Sequence, residues 1–153
     1  FSIDKSAGAI YTSHASGDAS GNYYAGFGYN GSVIGTITQN GTTAVAYNTS
    51  SDYRLKENVQ PMQNALAVVQ QLNPVTYTWK SDGSDGQGFI AHELQAVIPE
   101  AVTGEKDAVD DEGNPVYQGI DPSKIVATLT AAIQEQQAII ESLQADIALL
   151  KGK

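Results

Sequence analysis

The sequence predicts an α+β chain in three stretches: a β-rich N-terminal third, a mixed α/β middle, and a long C-terminal helix of coiled-coil type. Three observations carry that class. Before residue 50, short β-branched and aromatic runs recur about every ten residues with Asn-Gly pairs between them. From Pro61 onward, helix-period and strand-period patterns alternate. From Val126 to Leu150, apolar residues fall at heptad spacing.

The N-terminal third holds glycine at positions 8, 17, 21, 26, 28, 31, 35 and 41, together with five of the eight tyrosines. Glycine at that density opposes long helices. Strands are predicted over Tyr23–Tyr29, Ser32–Thr38 and Thr42–Asn48, with Asn30-Gly31 and Asn40-Gly41 as tight turns. Val33, Ile34, Ile37 and Val45 are the main large aliphatic residues of these runs, too few for an independent core. A plain meander and an interwound multichain stalk both fit the pattern, and the thin core favours the stalk. Three Asn-x-Ser/Thr triplets, at Asn30, Asn40 and Asn48, follow from the Asn, Ser and Thr content alone. The tyrosines and His14 offer surfaces for a receptor or glycan, although packing between strands is the commoner use of such residues.

Charge divides the chain. Residues 1–51 hold only Asp4, Lys5 and Asp18, a net of −1, which leaves −8 of the total −9 to residues 52–153. That acidity argues against nucleic-acid backbones as partners, since phosphate contacts need clustered Lys and Arg. With no cysteine there is no disulfide scaffold, and the chain reads as made in a cytosol. No apolar run is long enough to span a bilayer, so no membrane partner is expected. No cofactor is expected. The opening at Phe1 in place of Met is that of a stretch within a longer polypeptide.

At the compositional boundary stands Ser50-Ser51-Asp52-Tyr53-Arg54-Leu55-Lys56-Glu57-Asn58-Val59. Ser51 lies five residues before Lys56, the nearest amine. A serine hydroxyl becomes a nucleophile when a neighbouring base takes its proton, and a neutral lysine amine can be that base. A lysine amine must be desolvated or set beside another cation to be neutral near pH 7. Arg54 pushes that way, while Asp52 and Glu57 favour the ammonium. In an extended strand, side chains an odd number apart leave opposite faces, so a turn, a bulge or a second protomer must bring Ser51 to Lys56.

After the junction, Pro61 suits a first helical position, with Met62, Ala65, Leu66, Val69 and Leu72 at helical spacing until Asn73-Pro74. Val75–Lys80 alternates as a half-buried strand, and Ser81–Gly86 is a turn or loop. Gly88-Phe89-Ile90-Ala91-His92-Glu93 opens a short strand passing into a helix that ends before Pro99. A His beside a Glu suits a proton relay or a metal site, yet two histidines without ligand spacing read as a surface pair and no metal is expected. Glu105–Gly113 is acidic but lacks the alternating order of a calcium loop, so a solvated hairpin is predicted. Pro115–Ile120 follows as a short strand. Asp121 can cap the last helix, with Pro122 in its first position.

That helix, predicted over 122–151, carries Val126, Leu129, Ile133, Gln136, Ile140, Leu143, Ile147 and Leu150 at spacings 3, 4, 3, 4, 3, 4, 3. This is an a/d seam for intermolecular packing, the alternative being one helix lying on its own domain. β-branched a positions with Leu at d nominally favour two strands, and a polar Gln136 at d can fix register.

The junction resembles the S-D-x-R-x-K-x-N opening of the intramolecular chaperone domains at the C-termini of phage tailspikes and tail fibres, the S74 peptidase family. Gly88–Glu93 resembles that family's second signature, with His92 where glutamine is usual. The resemblance covers residues 50–153 and implies a set of expectations. Residues 1–51 end a β-rich trimeric fibre, and residues 52–153 form an α/β chaperone domain whose helix 122–151 makes a trimeric coiled coil. The domain templates folding of its upstream client and is released by a single-turnover self-cut at Ser51-Asp52. Ser51 and Lys56 form the dyad, with Arg54, His92 and Glu93 supporting. The attacking atom stays open: attack across protomers, Asp52 participation, or water activated by Lys56. Synthesis is expected in a bacterial host cytoplasm, with the mature fibre in the virion tail and a host-surface receptor as its partner. The rival reading is an uncut structural or receptor-binding fibre tip.

Overall fold

The computed structural model describes residues 2–4, 9–18 and 20–152. Among the described residues the chain is mixed α+β, with four small sheets and one long C-terminal helix. It divides into two compact units, Phe1–Val59 and Gln60–Lys153, so the Ser51-Asp52 junction lies within the first.

The first unit contains β1 (Ser2–Asp4) paired with β2 (Ala9–Tyr11), then a meander of β3 (Tyr23–Tyr29), β4 (Ser32–Asn40) and β5 (Ala44–Thr49). The β3–β4 connection is the predicted two-residue turn. Asn30 and Gly31 both take positive φ, 47° and 77°, which matches the right-handed twist of the strands they join. The second connection differs from the expected pair. Asn40 is still in register with Ala44, so Gly41, Thr42 and Thr43 form a three-residue loop and β5 starts at Ala44 instead of Thr42. Gly41 supplies the left-handed residue, φ 63°.

The burial in this meander is polar. Thr36 and Thr38 are its buried residues among those described, and Asn48 Nδ2 donates to both hydroxyls at 3.2 and 3.0 Å. Phe27, Tyr29, Val33, Ile34 and Tyr47 all stay more than half exposed. The sheet is therefore held by its ladder and a threonine–asparagine network, with most of its large apolar side chains exposed and Tyr24 and Ile37 half-buried.

The second unit contains α1 (Ala65–Val69), β6 (Val75–Thr78), β7 (Asp85–Gly88), α2 (Ala91–Val97), β8 (Val102–Thr103), β9 (Gly119–Ile120) and α3 (Ser123–Lys151). Its core is Leu94, Ile98, Ala101, Val102 and Ile125, with Val68, Leu72, Phe89 and Ile120 packed against it.

The structure corrects three local expectations. Pro61 is not the first residue of α1. Asn64 takes a left-handed φ of 60°, which breaks the chain direction and starts the helix at Ala65, leaving Met62 exposed. The strand from Val75 stops at Thr78, because Trp79 turns into a tight loop closed by the Gly83 N–H on its carbonyl at 2.8 Å. Of the Pro115–Ile120 strand only Gly119–Ile120 pairs with β8, and Pro115 makes a single bridge to Val109 across the acidic hairpin. Pro115 has no N–H to offer a longer ladder.

α3 starts as its sequence predicts. Asp121 Oδ1 accepts the backbone N–H of Ser123 at 3.0 Å, with Pro122 between them in helical conformation. The helix has two faces. Ile125, Thr128 and Ala132 are buried in its own unit. One position on, Val126, Leu129, Ile133, Ile140, Leu143, Ile147 and Leu150 are all at least 41% exposed. From Gln136 to Gly152 every residue is exposed.

Candidate functional site

The site is built on the end of β5. Ser50 continues the sheet contacts, its N–H donating to Ile34 O at 3.1 Å and its Oγ to Val33 O at 3.2 Å. The residue before Ser51 is thus fixed to β4. After Ser51 the chain turns. Asp52 is extended (φ −63°, ψ 139°), and its Oδ1 accepts the Arg54 N–H at 2.9 Å, capping a single 3₁₀ turn over Tyr53–Leu55. Leu55 N–H and Lys56 N–H close that turn onto Asp52 O and Tyr53 O at 3.1 Å each. The Asp side chain is what starts the turn, by the same chemistry that makes Asp a preferred helix cap.

This turn answers the odd spacing of the two candidate catalytic residues. Lys56 Nζ lies 2.7 Å from Ser51 Oγ. An ammonium donates to the hydroxyl across that contact. A neutral amine reverses it, its lone pair accepting the hydroxyl proton.

Asp52 and Arg54 form the second part of the site. Arg54 Nε reaches Asp52 Oδ1 at 2.9 Å and its terminal nitrogen reaches Oδ2 at 2.8 Å, a two-pronged pair. With the Arg54 backbone N–H also on Oδ1, both carboxylate oxygens are occupied. The guanidinium, and after it that N–H, hold the Asp52 carboxyl below the usual carboxylate range. Every residue from Ser50 to Val59 is exposed, so the junction is open to water in the single chain.

The other supporting candidates stand in the second unit. His92 and Glu93 lie exposed in the first turn of α2, where Glu93 accepts the Asn73 side-chain amide at 2.9 Å. Among the described residues no three His, Asp or Glu side chains gather as a metal would require.

Sequence reasoning missed Glu135. Its carboxylate accepts the backbone N–H of Ala65 at 2.9 Å and of Leu66 at 2.8 Å, capping α1 from α3. These bonds, Leu66 first, hold the Glu135 carboxyl below its usual range. A partner about seventy residues away leaves no local signal.

Residues 51–103 match the family model described as chaperone of endosialidase, Peptidase S74. Three curated relatives are long tail fiber proteins Gp37. Those of Enterobacteria phages K3 and T2 are each 33% identical over 103 residues, and that of Salmonella phage S16 is 30% identical over 112. The matches cover 63%, 63% and 68% of this chain but 8%, 7% and 14% of those proteins. The chain therefore spans a small part of the length of the fibres it matches. Residues 51–103 of this chain are thus similar to the chaperone-of-endosialidase family, Peptidase S74, and the stretch that matches opens at the serine–lysine contact.

Proposed function

We propose that residues 52–153 trimerise through α3, align the strands of residues 1–51 and template the folding of a phage tail fibre, and are then released by a single self-cut between Ser51 and Asp52. The observation that carries this reading is the second face of α3. An a/d seam spanning Val126 to Leu150 is exposed, and every residue from Gln136 to Gly152 is exposed as well. An isolated helix of that length is marginal in water and gains its stability from a packed apolar face. A second and third copy of the same seam supply one. The register residue is Gln136, at a d position and exposed.

The meander supports the same division of labour. Its buried positions are threonines while most of its large apolar side chains, Phe27, Tyr29, Val33, Ile34 and Tyr47 among them, are exposed, a surface suited to neighbouring chains. Bringing three chains into register at one end lowers the entropy of closing such nonlocal contacts. Burial of the junction in the assembled trimer would favour the neutral Lys56 amine, which takes the Ser51 proton as Oγ attacks the Ser51-Asp52 carbonyl of a neighbouring protomer. The peptide C–N bond breaks as that proton passes to the Asp52 nitrogen, and water then hydrolyses the ester, so that assembly licenses the cut. Loss of the template then makes the fibre's persistence kinetic. The mature strands belong to the virion tail and meet a host-surface receptor, and the chaperone part leaves.

The test compares wild type, Ser51→Ala and Lys56→Ala by intact mass and sedimentation after folding. Trimers of all three, with only the wild type cut, are expected. A wild type that stays in one piece returns the chain to an uncut fibre tip, and a stable dimer overturns the trimer.

A further inference from the structure

We propose that Arg54 is a positioning residue that occupies both oxygens of Asp52, so that the carboxylate nearest the junction does not capture Lys56 and the lysine stays directed at Ser51. This inference rests on the self-cutting reading above and adds to it the reason an arginine stands between the two reacting residues.

The charged groups of the segment are Asp52, Arg54, Lys56 and Glu57. Lys56 carries one side-chain contact in its unit among the described residues, to Ser51 Oγ at 2.7 Å. Among the described residues no carboxylate of that unit lies within ion-pair distance of it, although Asp52 adjoins Ser51 and Glu57 adjoins Lys56. Asp52 is instead held by three nitrogens of Arg54: the backbone N–H and Nε on Oδ1, and a terminal nitrogen on Oδ2, all within 2.9 Å.

An exposed ion pair of this kind adds little to stability. Its effect on its neighbours is larger. A free carboxylate beside an ammonium favours the charged form, which is the form that cannot accept the hydroxyl proton. Two oxygens already bound to a fork leave no such partner. The fork matters as well as the charge, because guanidinium matches a carboxylate at two points and an ammonium does not. The clamp therefore keeps the capped turn in shape and keeps Asp52 away from Lys56 with one side chain.

The experiment follows the pH at which cutting is half-maximal in the full chain, for wild type, Arg54→Gln, Arg54→Lys and the double variant Asp52→Asn/Arg54→Gln. Asn retains a side-chain oxygen to cap the turn. Arg54→Gln frees Asp52, and its midpoint is expected to move up by about one pH unit, a loss of roughly tenfold in rate below the midpoint. Arg54→Lys moves it in the same direction by less. The double variant, with no carboxylate left to capture Lys56, returns toward the wild-type midpoint whatever its absolute rate. A double variant that stays with Arg54→Gln overturns the clamp, as does an Arg54→Gln profile equal to wild type. If Arg54→Gln does not assemble, Arg54→Lys decides alone, and a wild-type profile there overturns the proposal. An uncut wild type defeats the underlying reading, and that outcome is distinct from a cut wild type with an unshifted variant.

Discussion

Lys56 Nζ lies 2.7 Å from Ser51 Oγ across a turn of only three residues. Two side chains that an extended strand would send to opposite faces meet because Asp52 caps a 3₁₀ turn between them. That contact makes the choice of cation a test. Lys56→Arg preserves the positive charge and a donor to Ser51, yet guanidinium does not lose its proton in proteins. Cutting is expected to fall by roughly 10²–10⁴, the usual worth of a positioned base, while assembly is unaffected. Intact mass over a time course measures it, and wild-type kinetics in Lys56→Arg would remove Lys56 as the base.

The exposed seam predicts a separation of folding from assembly. Ile140 and Leu143 lie in the half of α3 whose residues are all exposed. Alanine at either is expected to leave the fold of residues 60–135 unchanged and to weaken the oligomer by about 2–5 kcal/mol per buried copy. Sedimentation at falling concentration reads the second effect and circular dichroism the first. Gln136→Leu should raise the melting temperature of the oligomer and broaden its stoichiometry.

Glu135 predicts a pH dependence in the second unit. Its carboxyl is held below the usual range by the N–H groups of Leu66 and Ala65, so the carboxylate binds the folded state more tightly than the acid does. The stability it contributes is full above the ordinary glutamate pKa and is lost as pH falls through the depressed one. Thermal melts from pH 7 down to pH 3 should fall less steeply in Glu135→Gln than in wild type. Equal slopes would mean the cap carries no linkage.

His14 predicts the opposite sign in the first unit. Its two ring nitrogens face acceptors, Gln39 Oε1 at 2.8 Å and Tyr23 O at 3.0 Å. Gln39 is oriented by its own Nε2 donating to Gly41 O at 3.0 Å, so the ring is satisfied when both nitrogens carry protons. The Gln39 bond first, then the Tyr23 carbonyl and the charge of Asp18 raise its pKa against the opposing effect of desolvation. The contact of the 12–18 segment with β3 and β4 is therefore strongest below the ordinary histidine pKa and fades as pH rises through the raised one. Titrating His14 by NMR checks the direction. A midpoint at or below the ordinary histidine value of about 6.5 would refute it.

Much of the fold was legible in short-range chemistry. Asn30-Gly31 forms the tight turn its residues prefer, β3 begins and ends where its aromatic run does, and Asp121-Pro122 starts α3. Errors fell where a distant partner decided. Pro61 looked like a helix start, but Asn64 turns left-handed and Glu135 receives the first N–H groups of α1. The Pro115 run looked like a strand, but its partner residues are committed to an acidic hairpin.

The sequence by itself determined the α+β class, the compositional break at residue 51, the junction signature and the heptad seam, because each is written in neighbouring residues or a fixed period. The folded structure decided three things that the residue pattern left open. Ser51 and Lys56 share one side of the chain only once the Asp52-capped turn has formed. Asp52 belongs to Arg54 and not to Lys56, because a carboxylate flanked by two cations takes the one whose fork reaches both oxygens. The heptad stripe of α3 faces water because the adjacent stripe of Ile125, Thr128 and Ala132 is the one its own core can cover.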